Sequence, residues 1–204
     1  MKNTITIVLA ALLAVCIVGL LFLYSQSQDM KKALAEKETK LSQQKSTQEA
    51  LVTSLKEQIQ KQEVTIKEIR EGLSVTLVDR ILFDSGKATL KPGGEKILGK
   101  IGETLKNIQD KRIRVVGHTD NVPIRQEFRY KFPTNWELSA DRAATVVRYF
   151  QEKTGLKPED LEAVGRSFFR PLVSNDTKEG RSKNRRVEII IAPKLEMKEE
   201  VKEK

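Results

Sequence analysis

The chain has 204 residues, 37 Lys and Arg against 28 Asp and Glu, and a formal net charge of +9, which allows one ordinary domain with extensions rather than several domains. A single cysteine, Cys16, and a single histidine, His118, exclude a disulfide framework and a multi-histidine metal site within one chain. With 39% hydrophobic residues unevenly spread, it can build a modest core, and its basic balance suits an anionic partner (nucleic acid, phospholipid or an anionic polymer) without selecting one.

Thr4 to Tyr24 reads TITIVLAALLAVCIVGLLFLY, 21 residues without a charge, long enough for a helix to cross about 30 Å of hydrocarbon. Residues 4–24 are therefore predicted as a transmembrane helix. The rival is a cleavable signal cut near Ser25 and Ser27, whose apolar region usually runs only about 7 to 15 residues. No ionisable side chain lies inside the span, so it offers no group to carry a proton across the membrane. Lys2 before it and Asp29, Lys31 and Lys32 after it leave the orientation undetermined by charge.

Residues 25–72 are polar, without Pro and without Gly until Gly72. Val52, Leu55, Ile59, Ile66, Ile69 and Leu73 fall on alternating spacings of three and four, with Gln62 as a polar interruption. That spacing predicts a coiled-coil stalk over 25–72 and, with it, a homodimer. Upstream only Leu34 and Leu41 keep the register, and a single solvated helix or flexible tether is the alternative.

A folded domain is predicted over 73–193. Ser74 to Phe83 alternates as a strand, and Pro92 opens a helix to about Gln109 with Ile97, Ile101, Leu105 and Ile108 on one face. Arg112 to Gly117 is a second strand, and the 14-residue loop from Asn121 to Thr134 that follows is long enough to suggest function. The next helix ends near Thr154 at Gly155, with Ala143, Val147 and Phe150 as its buried stripe. Glu162 to Phe169 and Arg186 to Ala192 are the remaining strands, separated by a polar loop from Ser174 to Asn184, and 194–204 is a charged tail. This order predicts an α/β fold (an α+β sandwich) with a mixed sheet and helices on one face.

Four clusters stand out: Phe83-Asp84-Ser85-Gly86, Gly117-His118-Thr119-Asp120-Asn121, Asn135-Trp136-Glu137-Leu138-Ser139 followed by Arg142-Ala143, and Asn184-Arg185-Arg186-Val187-Glu188. In this order they resemble the OmpA-like peptidoglycan-binding domain, in the version found at the carboxyl end of MotB-type proteins, over roughly residues 75 to 193. The resemblance implies non-covalent binding of the peptide stem of peptidoglycan, usually at diaminopimelate, without catalysis and without a cofactor. The loop from Asn121 to Thr134 favours the MotB-type subgroup, which carries an insertion there. The uncharged membrane span departs from that subgroup, whose stator members have a proton-carrying Asp in the membrane helix, so proton conduction by this chain is not expected.

The free end of diaminopimelate carries an ammonium and a carboxylate on one carbon, so a selective pocket needs a fixed anion and a fixed cation side by side. Asp120 and Arg142 match the family's positions for these tasks, Asp120 accepting from the ammonium and Arg142 holding the carboxylate in a two-pronged contact. An ordinary ion pair holding loop to helix is the plainer reading of the same two residues. If Ser139 caps the helix, Arg142 lies in its first turn, where backbone N–H groups also favour an anion; Thr134 with Glu137 is a competing capping box. Asn135 and Thr119 match positions near the pocket, Asp84 lies at its rim or forms a turn, and Arg185 approaches the ligand. Ala substitution of Asp120 or Arg142 is expected to abolish wall binding and spare the fold.

His118, Asp120 and Ser139 hold the residue types of a hydrolase triad, but no nucleophile motif surrounds the serine. The basic residues are dispersed and lack interleaved aromatics, so nucleic-acid binding is not expected. The sequence thus predicts a single-pass inner-membrane protein with its carboxyl-terminal domain in the periplasm, binding peptidoglycan and tethering or positioning a membrane complex against the wall. The alternative is a coiled-coil adaptor of a motility or export complex with weak or lost wall binding.

Overall fold

A computed structural model describes the backbone of residues 2–194 and the side chains of 17–194. The chain divides into two compact units, Met1–Lys45 and Ser46–Lys204. Helix α1 (Lys2–Ser54) forms the first unit, and its last turns, from Ser46, belong to the second. Among the described residues no helix is long and apolar enough to cross a membrane; the side chains of 4–16, the larger part of the predicted transmembrane helix, lie outside the described residues.

In the second unit, the short helix α2 (Lys56–Gln60) leads into strands β1 (Val64–Ile69) and β2 (Gly72–Val78) and a single turn, α3 (Asp79–Leu82). Helix α4 (Pro92–Lys106), strand β3 (Lys111–His118), helix α5 (Asn135–Tyr149, prolonged by a π-turn to Thr154), strand β4 (Leu161–Gly165), helix α6 (Lys178–Asn184) and strand β5 (Arg186–Pro193) complete it. The sheet order is β1-β2-β5-β3-β4; only β3 and β4 pair in parallel, joined by a crossover through α5. The last strand is thus inserted at the centre, between β2 and β3. The register stacks Val75, Ile189 and Val115 across three strands. This face buries Val75, Leu77, Ile113, Val115, Val187 and Ile189 against Leu98, Ile101 and Leu105 of α4, Ala143 and Val146 of α5, and Phe150. Successive strand side chains alternate between faces, so Arg112, Arg114 and Glu162 lie on the other face, where Arg114 Nε donates to Glu162 at 2.8 Å.

The main departure from the sequence expectation lies before residue 73. The predicted helical stalk to Gly72 ends earlier: Gln62 takes a positive φ of 56° and β1 pairs along β2 from Val64↔Leu77 to Ile69↔Gly72. Leu51, Leu55 and Val64 are buried in the same core as the sheet, so the seam from Val52 to Leu73 is divided between a helix end and a hairpin. The β-branched run Val64-Thr65-Ile66 favours a strand, and Gly72, at φ 144°, allows close approach to β5, since any Cβ there would collide with the Ile191 carbonyl. The predicted strand from Ser74 to Phe83 stops at Val78, where the Asp79 N–H donates to Arg185 O at 3.0 Å and the chain turns. The predicted strand from Glu162 to Phe169 stops at Gly165, because Ser167 adopts φ 51°. The polar loop from Ser174 to Asn184 contains α6, capped by Thr177, whose Oγ1 accepts from Gly180 N at 3.0 Å.

Candidate ligand-binding site

The site forms where β3, α5 and β5 meet. β3 ends at His118, and Thr119 is held by its N–H, which donates to Ser167 O at 3.0 Å. Asp120 then closes a tight turn, its Oδ1 accepting from Val122 N at 3.1 Å, while its Oδ2 accepts from Arg185 Nη1 at 2.6 Å. Asn135 opens α5 and clamps this turn, its Nδ2 donating to Val122 O at 3.0 Å and to Asp120 O at 3.4 Å. Among the predicted residues, Thr119, Asp120, Asn135 and Arg185 are therefore brought together. Asp120 is nearly buried, whereas the Arg185 side chain remains 39% exposed.

Arg142 lies elsewhere in this cluster. The helix start is the Thr134–Glu137 capping box, not Ser139, so Arg142 sits eight residues beyond the cap and away from the free N–H groups of the first turn. Its side chain is 3% exposed and is paired with Asp79 at 2.9 Å. Its Nε donates to Lys87 O at 2.9 Å, its Nη2 to Asp84 O at 3.3 Å, and the guanidinium lies over the Phe83 ring at 5.1 Å. Two of its five N–H donors are thus engaged by the Lys87 and Asp84 carbonyls, while Nη1 is ion-paired with Asp79. Asp120 and Arg185 act on both Asp79 and Arg142 through space, so two cations and two anions form one electrostatic unit. Burial pushes the Asp79 carboxyl up to about 6 against the pull of Arg142.

Asp84 presents an exposed carboxylate 3.9 Å from both Lys87 and Lys91, a rim position, while its carbonyl is what touches Arg142. Ser139 is fully buried: its Oγ donates to Trp136 O and accepts from Ser167 N, both at 3.0 Å. It is a bolt between α5 and the turn after β4, consistent with the absence of a nucleophile motif. His118 is buried 3.7 Å from Glu188 on the far face of the sheet, and burial holds its pKa below the usual value.

Three structural supports were not legible in the sequence. Asp79, the partner of Arg142, looks like one more polar position in an alternating strand. Ser167 has no sequence signal for its positive φ. Asn184 is fully buried and organises residues 172–175, accepting from Leu172 N and Val173 N and donating to Val173 O and Asn175 Oδ1; its place at the head of the Asn184-Arg185-Arg186 cluster is the one available hint. The long loop packs on the domain: Ile124 and Phe132 form a second small core with Ala88 and Leu138, and Phe128 leans on it.

A five-stranded mixed sheet with a polar, charge-paired cluster at one strand end is the architecture of an OmpA-type domain. The sequence pattern of the OmpA family matches residues 82–185, and the chain belongs to that family. Asp84, Thr119, Asp120, Asn135, Arg142 and Arg185 all fall within the matched stretch. Motility protein B of Bacillus subtilis is 40% identical over 124 residues, covering 61% of this chain and 46% of that protein. The chain therefore spans about half the length of this relative. Among solved structures, a MotB-like protein from Desulfovibrio vulgaris superimposes with a TM-score of 0.70 at 26% identity, covering 78% of this chain and 99% of that one. The cell wall anchor of the type VI secretion system (T6SS) from Pseudomonas aeruginosa gives 0.63 at 32% identity, covering 71% and 97%.

Proposed function

We propose that the second unit binds the peptide stem of peptidoglycan at Asp120 and Arg185, and that the chain as a whole tethers or positions an envelope complex against the cell wall from the inner membrane. The observation that carries this reading is the Asp120–Arg185 pair itself, an anion and a cation 2.6 Å apart with the cation partly in water. A ligand carrying an ammonium and a carboxylate on one carbon matches that pair. Its ammonium replaces the guanidinium at Asp120, and the released Arg185 takes its carboxylate, so no charge is left unpaired. Arg142 adds its positive field and its uncommitted donors from beneath, and Asn135 and Thr119 fix the turn that aims Asp120. Binding needs no chemistry beyond ion pairing and hydrogen bonds, so the proposed activity is non-catalytic and cofactor-free.

Residues 4–24 serve as the membrane anchor in this reading, with the domain on the wall side. Leu34 and Leu41, seven residues apart on α1 and exposed, support pairing of two copies along the helix. Retention of the detergent-solubilised chain on purified sacculi is the direct test. The wild-type protein is expected to be retained and to be released by excess diaminopimelate, whereas Asp120→Asn is expected to lose at least tenfold in affinity because only its charge is removed. Equal retention of the variant would refute the site.

A further inference from the structure

Trp136 and Phe169 are 49% and 57% exposed, yet their rings stack, with centroids 5.4 Å apart and planes inclined by 27°. Phe168 extends the stack, 4.4 Å from Phe169 at 26°. Neither Trp136 nor Phe169 contributes to the main core or to the small core under the long loop. Large aromatic rings held together half in water are costly unless something covers them. Their mounting is rigid: Ser167, in its left-handed conformation, turns the chain so that Phe168 and Phe169 follow it, while its N–H is fixed to Ser139 Oγ and its carbonyl accepts the N–H of Thr119. Trp136 is tied to the same point through its own carbonyl, which accepts from Ser139 Oγ at 3.0 Å. A strained non-glycine backbone that unites a ligand turn with an exposed aromatic ledge is the kind of arrangement found at ligand clamps.

We propose that Trp136 and Phe169 form a carbohydrate platform, on which a sugar ring of the glycan strand stacks while the attached stem peptide enters the Asp120–Arg185 site; this rests on the peptide-binding reading given above. The flat C–H face of a pyranose complements the electron-rich face of an aromatic ring, and the exposed Arg166 and Arg170 on the same turn supply donors for hydroxyl and acyl oxygens. Connectivity singles out glycan as the occupant, because the peptide and the sugar are one covalent molecule. A stem of three residues reaches at most about 10 Å, and Trp136 is the immediate chain neighbour of Asn135, which clamps the Asp120 turn.

Trp136 is the only tryptophan in the chain, so its emission reports on the platform alone. The detergent-solubilised full chain is titrated with peptide-free glycan oligomers prepared from amidase-treated sacculi, and separately, by calorimetry, with free stem tripeptide. A saturable emission change with the glycan oligomers is expected, weakened about fivefold or more in Phe169→Ala, with tripeptide affinity and melting temperature of that variant unchanged. Asp120→Asn is expected to lose the tripeptide and keep the glycan response. Tripeptide binding without any glycan response, or a glycan response indifferent to Phe169→Ala, would overturn the platform and leave the peptide site standing. A glycan response without tripeptide binding would support the platform and overturn the peptide reading instead.

Discussion

At Arg142 the guanidinium is held at once by the Asp79 carboxylate, the carbonyls of Asp84 and Lys87 and the face of Phe83. A buried ion pair adds little net stability when intact, but removing one partner leaves the other charge in a low-dielectric site at a cost of about 3–5 kcal/mol. Arg142→Ala is therefore expected to destabilise the domain by about that much in urea unfolding, contrary to the expectation from sequence that this substitution spares the fold. An unchanged unfolding midpoint would show that the Asp79 pair is not structural. Glu188 allows a test by pH. Burial alone would raise its carboxyl, but the His118 ring at 3.7 Å and the Arg186 guanidinium at 2.6 Å outweigh burial and hold it down to about 2. Between its ordinary value of 4.5 and about 2, the unfolded chain binds the extra proton, so the stabilisation is full above the first value and lost as pH falls through the second. Asp79 has the opposite sign: its contribution is full below 3.8 and lost as pH rises through about 6. Glu188→Gln is expected to flatten the acid limb of the stability profile by about 3 kcal/mol while leaving the profile above pH 5 parallel to wild type. An unaltered acid limb, followed by denaturant melts across pH, would remove Glu188 from the account.

At the scale of elements, legibility followed the range of the interactions involved. The Pro92 helix start and the Gly155 stop, whose φ of 70° ends α5 and its π-turn, are written in a few adjacent residues and were read from them, whereas the Thr134–Glu137 capping box was one of two starts the local sequence allowed beside Ser139. The residues of the binding cluster were legible because they belong to compact motifs, although which cation pairs with which anion was not: Asp120 chooses Arg185 and Arg142 chooses Asp79 through the turn at Val78, a tertiary event. β1 was misread because spacings of three and four from Val52 to Leu73 fit a coiled-coil seam and also fit a helix end followed by a hairpin, and only the docking on β2 decides between them. α6 escaped because Lys178 to Asn184 carries no apolar stripe at all. The structure therefore moves the domain boundary, since Leu51 and Leu55 are fully buried and β1 covers the edge of β2. A fragment beginning at residue 46 is expected to melt cooperatively, while one beginning at residue 72 exposes an unpaired edge strand and the core leucines' contact surface. Loss of at least 3 kcal/mol or aggregation of the shorter fragment is expected; equal melting temperatures by circular dichroism would restore the boundary at residue 73.

At the scale of the whole molecule, the proposed function requires the binding domain and the wall to share a compartment, and the first unit has to account for that. Val18 and Leu20 to Tyr24 are exposed on all sides of α1, an apolar surface that water does not tolerate and that lipid or a second helix must cover. The flanking charges, Lys2 on one side and Asp29, Lys31 and Lys32 on the other, give no strong bias to orientation, so the constraint comes from the ligand: peptidoglycan lies outside the inner membrane. Alkaline phosphatase, which needs disulfides formed outside the cytoplasm, is expected to be active when fused after Lys204, and a reporter that matures only in the cytoplasm is expected to fail there. The chain is also expected to remain with membranes through high-salt and carbonate washes, because an apolar helix is not held by screened charge. An inactive phosphatase fusion on a stably expressed chain would place Asp120 and Arg185 on the wrong side of the membrane and refute the wall-tether function. Recovery in the soluble periplasmic fraction would instead show that the apolar segment is removed as a signal, which keeps the wall ligand and eliminates the anchor.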